Sequence, residues 1–166
     1  ALTAAQLSSL GTSQISGLST ATVSALTPSA LASLNANLIK SLTSAQVAAL
    51  TPAQLRTFAN ASDFNKLSST QISQLAASTI ASLTPTQLGF LDVNAVTQIA
   101  AANKLTALAP TAISGVPVTA MSSLTADQIG SLSAAQLRGL TGTQLNGLST
   151  SQIPGLDSTD IAALNP

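Results

Sequence analysis

The chain has 166 residues, zero formal net charge and charged side chains at only 6% of positions, and it lacks His, Cys, Trp, Tyr and Glu. Soluble domains average about 25% charged residues, so no basic stripe exists here to hold nucleic acid or anionic lipid, and the missing Cys removes disulfides and thiolate metal sites. Mean hydropathy is +0.43, yet Ser, Thr, Gln or Asn interrupts every apolar run well short of the roughly 18 residues of a transmembrane segment.

From the first residues the chain repeats itself. Leu recurs every eight residues at Leu2, Leu10, Leu18, Leu26, Leu34, Leu42 and Leu50, followed by Phe58. One extra residue precedes the run Leu67 to Ile99, and a second precedes the run Leu108 to Leu164. Five residues later in the octad, once the two extra residues are allowed for, comes another apolar side chain, from Leu7, Ile15, Val23 and Leu31 to Ile161. The consensus octad is Leu-Thr-x-x-Gln-Leu-x-x, and about twenty copies account for the chain as one repeat array over 1–166. Both apolar positions are assigned to the interior, represented by Leu2, Leu7, Leu10, Ile15, Leu42, Val47, Leu50, Leu55, Leu132, Leu137, Leu140 and Leu145.

The polar positions read as a helix start. Thr3 with Gln6, Thr43 with Gln46, Thr51 with Gln54, Thr84 with Gln87 and Thr125 with Gln128 have capping-box spacing. In that motif the hydroxyl accepts from the third helical amide and the Gln side chain accepts from the cap amide. The flanking apolar pair, such as Leu2 and Leu7, has the spacing of a hydrophobic staple. Pro28, Pro52 and Pro85 follow a capping Thr, where proline forfeits no hydrogen bond. Gly17, Gly115, Gly139, Gly147 and Gly155 end their octads, and a left-handed helix-terminating role is expected for them.

The expected fold is therefore an all-α solenoid of about twenty very short capped helices, one per octad. A continuous helix is excluded, since eight residues at about 100° each would carry the Leu positions around every face. A β-solenoid is the alternative, but apolar spacings of five and three do not give a period-two strand pattern.

The pattern loosens between residues 58 and 117, where the cap positions become Ala59, Ala76, Ala100, Ala109 and Pro117. Both extra residues fall there, each near an Asn-Lys-Leu motif (Asn65-Lys66-Leu67 and Asn103-Lys104-Leu105), together with the only aromatics, Phe58, Phe64 and Phe90. Two readings stand: a binding or bending site, or a twist adjustment in which Phe fills extra volume. Neither end resembles a polar capping repeat, so either the array continues or its ends stack on other copies.

Catalytic material is scarce. Lys40-Ser41 is the only Ser-Lys neighbour pair that invites consideration as a nucleophile and base. Asp157 and Asp160 fall at the cap and Gln positions of their octad, which favours capping over calcium, and Asp63, Asp92 and Asp127 are isolated. No enzyme activity, cofactor or metal is expected. Regular Thr and Ala positions also raise ice binding, although capping consumes the recurring Thr.

The Leu-Thr-x-Ala-Gln-Leu/Val octads, clearest in Leu2–Leu7, Leu42–Val47, Leu50–Leu55 and Leu132–Leu137, resemble tandem repeats of very long secreted bacterial surface proteins of adhesin-like type. The resemblance implies an extracellular or cell-surface fibre, stalk or matrix element. Its expected partner is itself, as a head-to-tail or lateral filament; the alternative is a surface-binding module for adhesion, carbohydrate or ice with a Ser/Thr/Asn-rich face.

Overall fold

A helix of five residues survives only when both its ends are satisfied and its apolar side is covered, because nucleating a single turn is unfavourable in isolation. The computed structural model, which describes residues 3–164, meets both conditions in the regular interior octads. Among the described residues there are seventeen α-helices and three 3-10 turns, one element per octad and no strand, so the β-solenoid alternative is excluded. Typical members are Ala4–Ser8, Thr12–Ser16, Ser44–Ala48 and Ala134–Arg138; the 3-10 turns are Leu105–Ala107, Ile113–Gly115 and Ile153–Gly155.

Successive helices join without a reversal. After each helix the next Leu amide donates back to the second apolar residue, as Leu18 does to the Ile15 carbonyl and Leu50 to Val47. The chain then passes into the extended cap of the following helix, for example Thr43 at φ −70°, ψ 162°. Pro28, Pro52 and Pro85 each open a helix at its first position. No glycine has positive φ; Gly17, Gly139 and Gly147 end their helices in the right-handed region at φ −82°, −78° and −82°. This corrects the left-handed role expected for Gly17, Gly115, Gly139, Gly147 and Gly155. With the Leu amide already closing the last turn, no change of hand is needed.

The string of helices coils on itself. Ala4–Ser8 packs on Pro28–Ala32, Thr12–Ser16 on Ala36–Lys40, Thr20–Ser24 on Ser44–Ala48, and Pro28–Ala32 on Pro52–Leu55, each three octads on. Side chains also reach back about four octads, to carbonyls 28 to 31 residues earlier. One turn therefore takes about three and a half octads, so each helix straddles two of the preceding coil, as in staggered brickwork.

Both apolar positions point into a single continuous core. Leu7, Ile15, Leu42, Val47, Leu50, Leu55, Leu132, Leu137 and Leu140 are buried, each side chain contributing about 1.5–3 kcal/mol. Leu10 and Leu145 are only half-buried, and Leu2 lies outside the described residues. Ile153 and Ile161, which occupy the second apolar position, are 46% and 44% exposed. Leu10, Leu145, Ile153 and Ile161 share a place, the first or last coil of the described residues, where described neighbours cover them on one side only.

The accessible surface is 7494 Å². A compact monomer of 16.4 kDa exposes about 7,500 Å², so the coils of one chain pack as tightly as an ordinary domain of this size.

Between residues 58 and 117 the helices lose their regularity for identifiable reasons. The first extra residue moves the cap from Ala59 to Asn60, whose side chain accepts from the Asp63 amide. Ala76 and Pro117 start helices with no side-chain cap. Ala100 is no cap at all, because Val93–Ala101 runs nine residues through the octad boundary, started by Asp92. That helix stops where Lys104 N–H reaches the Ile99 carbonyl around Asn103, the only non-glycine residue with positive φ among those described (55°). Phe58 and Phe64 are fully buried and pack edge-on with ring centres 6.2 Å apart, and Phe90 extends the cluster at the same spacing.

Gly142 is a spare position on this frame. It sits at the start of a helix, and a Cβ added there meets nothing within 4 Å. Gly142→Ala is expected to raise stability by about 0.5–1 kcal/mol by removing unfolded-state freedom, read as a higher Tm with an unchanged helical spectrum.

Candidate functional site

The recurring chemistry of this chain is a ladder of glutamines, built on the helix caps. Thr3, Thr43, Thr51, Thr84 and Thr125 each accept from the amide of their partner Gln6, Gln46, Gln54, Gln87 and Gln128. In return each Gln Oε1 accepts from the cap amide, at 2.8 Å for Gln46 and 3.1 Å for Gln87. Ser68, Ser133, Thr141 and Asp157 form further boxes of this kind.

Closing the box fixes the direction of the other end of the amide. With Oε1 held by its own cap, Nε2 points across the coil boundary and donates to two carbonyls of the previous turn. Gln46 Nε2 reaches the Ile15 carbonyl at 2.8 Å and the Leu18 carbonyl at 2.7 Å. Gln54 reaches Val23 and Leu26, and Gln71 reaches Ile39 and Leu42. Gln87 reaches Leu55 and Phe58, Gln136 reaches Leu105 and Leu108, Gln144 reaches Ile113 and Val116, and Gln152 reaches Met121 and Leu124. All seven glutamines are buried. In each case the acceptors are the second apolar residue of one octad and the first of the next. Those carbonyls stand at the join between helices, where no intrahelical donor serves the first apolar residue.

The separations are 31 and 28 residues in the regular coils and 32 and 29 for Gln71 and Gln87, whose coils contain the first extra residue. The first insertion thus lengthens its coil by one residue and leaves the staple intact. Where Gln is missing, other donors take its place. Thr79 Oγ1 donates to the Leu50 carbonyl, Lys104 Nζ to the carbonyls of Ser73 and Leu75, and Lys66 Nζ to that of Ala32 while also pairing with Asp63. The two Asn-Lys-Leu motifs therefore supply inter-coil donors.

Some octads lack the cross-bond. Gln128 keeps its box, but the second extra residue sets its counterparts 32 and 29 residues back at Val96 and Ile99, both inside the long helix Val93–Ala101, where the Ile99 carbonyl already accepts from the Lys104 amide. Gln6 and Gln14 belong to the first coil of the described residues, where their cap bonds are the ones made. Asp160 holds the Gln position of the last octad, 31 and 28 residues after Ile129 and Leu132. Its carboxylate accepts from the Asp157 amide at 3.1 Å but has no proton to donate. Asp160→Gln is expected to add the missing staple and raise stability by about 0.5–1.5 kcal/mol, seen as slower amide exchange in Ser158–Ala163.

Glycines allow the coils to meet closely. A Cβ on Gly115 would lie 2.0 Å from the Pro85 carbonyl oxygen, one on Gly155 2.0 Å from that of Ala126, and one on Gly139 2.1 Å from that of Pro110.

Catalytic groups do not assemble. The Ser41 hydroxyl donates to the Leu38 carbonyl at 2.8 Å, and Lys40 is exposed. No group of three His, Cys, Asp or Glu side chains that could hold a metal ion occurs among the described residues, and no described helix is long and apolar enough to cross a membrane. Beside the Phe cluster a hollow of about 30 Å³ is lined by Phe64, Ser69, Phe90 and Asp92, room for about one water. A larger hollow of about 260 Å³ opens at the C-terminal coil, among Leu137, Leu140, Leu145, Ala163 and Leu164.

Fold and ladder together define a helical repeat scaffold, compatible with a structural, non-catalytic role. No family model matches the chain, and no significant match is found among curated proteins or solved structures.

Proposed function

We propose that this protein is a mechanical element, a coil-stapled rod that extends or joins an extracellular fibre, stalk or matrix. The observation that carries this reading is the glutamine ladder. Every bond in it runs between turns of the solenoid, so the sequence devotes its most regular polar position to holding coils together. Low charge supports close packing of neighbours, since little electrostatic repulsion keeps chains apart. An extracellular location rests on the octad resemblance to secreted bacterial surface proteins.

A binding-surface role finds less support. The recurring Thr hydroxyls are engaged at caps, and with about three and a half octads per turn equivalent positions do not line up from one coil to the next. A flat ice-like row needs such alignment.

The test is length. Inserting seven regular octads, about two full turns, is expected to lengthen the particle in proportion while keeping one cooperative helical melt. Small-angle scattering on the parent and extended chains reads this directly. An extended chain whose dimensions grow only as a larger globule would overturn the rod.

A further inference from the structure

We propose that the solenoid is built as two cross-bonded blocks, residues 3–104 and 105–164, which meet at one apolar boundary that opens while both blocks stay folded. The use of such a joint, to let a rod bend or yield without unravelling, rests on the rod reading. Its opening can be measured without reference to particle length.

The ladder is interrupted at one place inside the chain. Three consecutive octads face the preceding coil with no side-chain donor. Ala112 and Ala120 hold the Gln position in two of them, and Gln128 in the third bonds its own cap. At the separations of 32 and 29 residues that an extra residue imposes, their acceptors would be the carbonyls of Ile80 and Leu83, Leu88 and Leu91, and Val96 and Ile99. Among the described residues no side chain donates to any of these six.

The break coincides with a single peptide bond. Lys104 donates back to Ser73 and Leu75, whereas Gln136 donates to Leu105 and Leu108, so each of these bonds lies wholly on one side of the link between Lys104 and Leu105. Among the described residues no side-chain hydrogen bond between coils crosses that link. A division at any other peptide bond from Ile15 to Gln152 separates at least one such donor from its acceptor. The chain crosses the boundary once, beside Asn103, whose positive φ of 55° follows the end of Val93–Ala101. One described main-chain bond spans the link, from the Ala107 amide to the Lys104 carbonyl at 3.1 Å.

Packing alone holds the two faces together. Ala77–Ile80 lies on Leu105–Ala107, Pro85–Leu88 on Ile113–Gly115, and Val93–Ala101 on Val118–Met121. Leu88, Val96, Ile113, Ala120 and Met121 are buried there. Apolar contact is non-directional, so parting these faces bares surface but breaks no bond of the ladder. Parting the other interior boundaries must do both. In a repeat array each interface contributes its own share of stability, and the weakest opens as a unit below the global transition.

The test is thiol labelling of the folded full-length chain. The sequence has no Cys, so one introduced thiol is a clean probe. Ala95 and Ala120 both hold the Gln position of their octads and are 1% and 0% exposed. Ala95 lies at a boundary crossed by the bonds of Ser69 to Asp92, Ser73 to Gln98 and Lys104 to Ser73, and Ala120 lies at the joint. Ala95→Cys and Ala120→Cys chains with the parent helical spectrum are labelled at rising urea below the unfolding transition. Ala120→Cys is expected to react about tenfold or more faster in the absence of urea, with a urea dependence well below that of global unfolding, because only the joint faces become exposed. Labelling of Ala120→Cys no faster than that of Ala95→Cys would overturn the joint and leave the rod standing. Fast labelling with the full urea dependence of global unfolding would overturn it too, since the block itself would then have unfolded. Should Ala120→Cys lose its helical spectrum, Ala112→Cys, on the same joint and 2% exposed, is measured against the same control.

Discussion

Gln136→Glu is expected to lower the stability of the rod by about 3 kcal/mol or more at neutral pH, and to leave the variant more stable in acid than at neutral pH. The side chain is 1% exposed, and Oε1 is occupied by the Ser133 amide at 2.9 Å. A glutamate keeps that bond. Its second oxygen, however, takes the place of an Nε2 that lies 2.9 Å from the Leu105 carbonyl and 2.8 Å from that of Leu108. Two bonds become two oxygen–oxygen contacts, and a charge is placed in the core without a partner. The folded chain then holds the glutamic acid protonated, so that its hydroxyl donates to one of the carbonyls, and the folded pKa rises above the unfolded value of about 4.3. The folded state binds the extra proton, so stability is greatest below about pH 4.3 and falls as pH rises toward the folded pKa. Urea denaturation at pH 4 and pH 8 measures this. A variant as stable at pH 8 as at pH 4 would show that the inner end of Gln136 does not face those carbonyls.

The comparison between Gln136 and Gln6 explains how much of the molecule could be read from its sequence. Capping spacing, apolar spacing and proline placement are local, and each follows from the hydrogen-bond needs of one short helix, so the all-α solenoid could be read directly. The seven staples are not local. Gln46 and Ile15 are 31 residues apart, and nothing in the octad states how many octads make a turn. A clue was present: Ser, Thr, Asn and Asp suffice to cap a helix, so glutamine recurring at the third position, with an amide nitrogen the box leaves idle, implies a second acceptor. Lys104 follows the same logic. Its Asn-Lys-Leu motif marks a helix end at Asn103 and a donor that bonds Ser73 and Leu75, neither of which shows without the coil geometry.

Gly115→Ala is expected to destabilise the chain by about 3 kcal/mol or more, although a glycine-to-alanine change in a helical region is often favourable. Backbone freedom is not what Gly115 supplies, since no glycine in the structure has positive φ. What it supplies is space: a Cβ would stand 2.0 Å from the Pro85 carbonyl oxygen and 2.4 Å from its Cα. Both contacts are backbone of the neighbouring coil, so no side chain can swing aside and the two coils must part. Parting them strains the contacts of the helix Pro85–Leu88 with the turn Ile113–Gly115 and loosens the apolar side chains sealed between them. Gly115, Gly139 and Gly155 are thus set by the distance between turns, a quantity with no local signature, which is why their sequence position invites a helix-ending role. Paired with Gly142→Ala, where the added methyl meets nothing, the change isolates inter-coil space from backbone entropy. Thermal melts of the two variants are expected to shift in opposite directions; equal shifts would mean that the coils do not meet at Gly115.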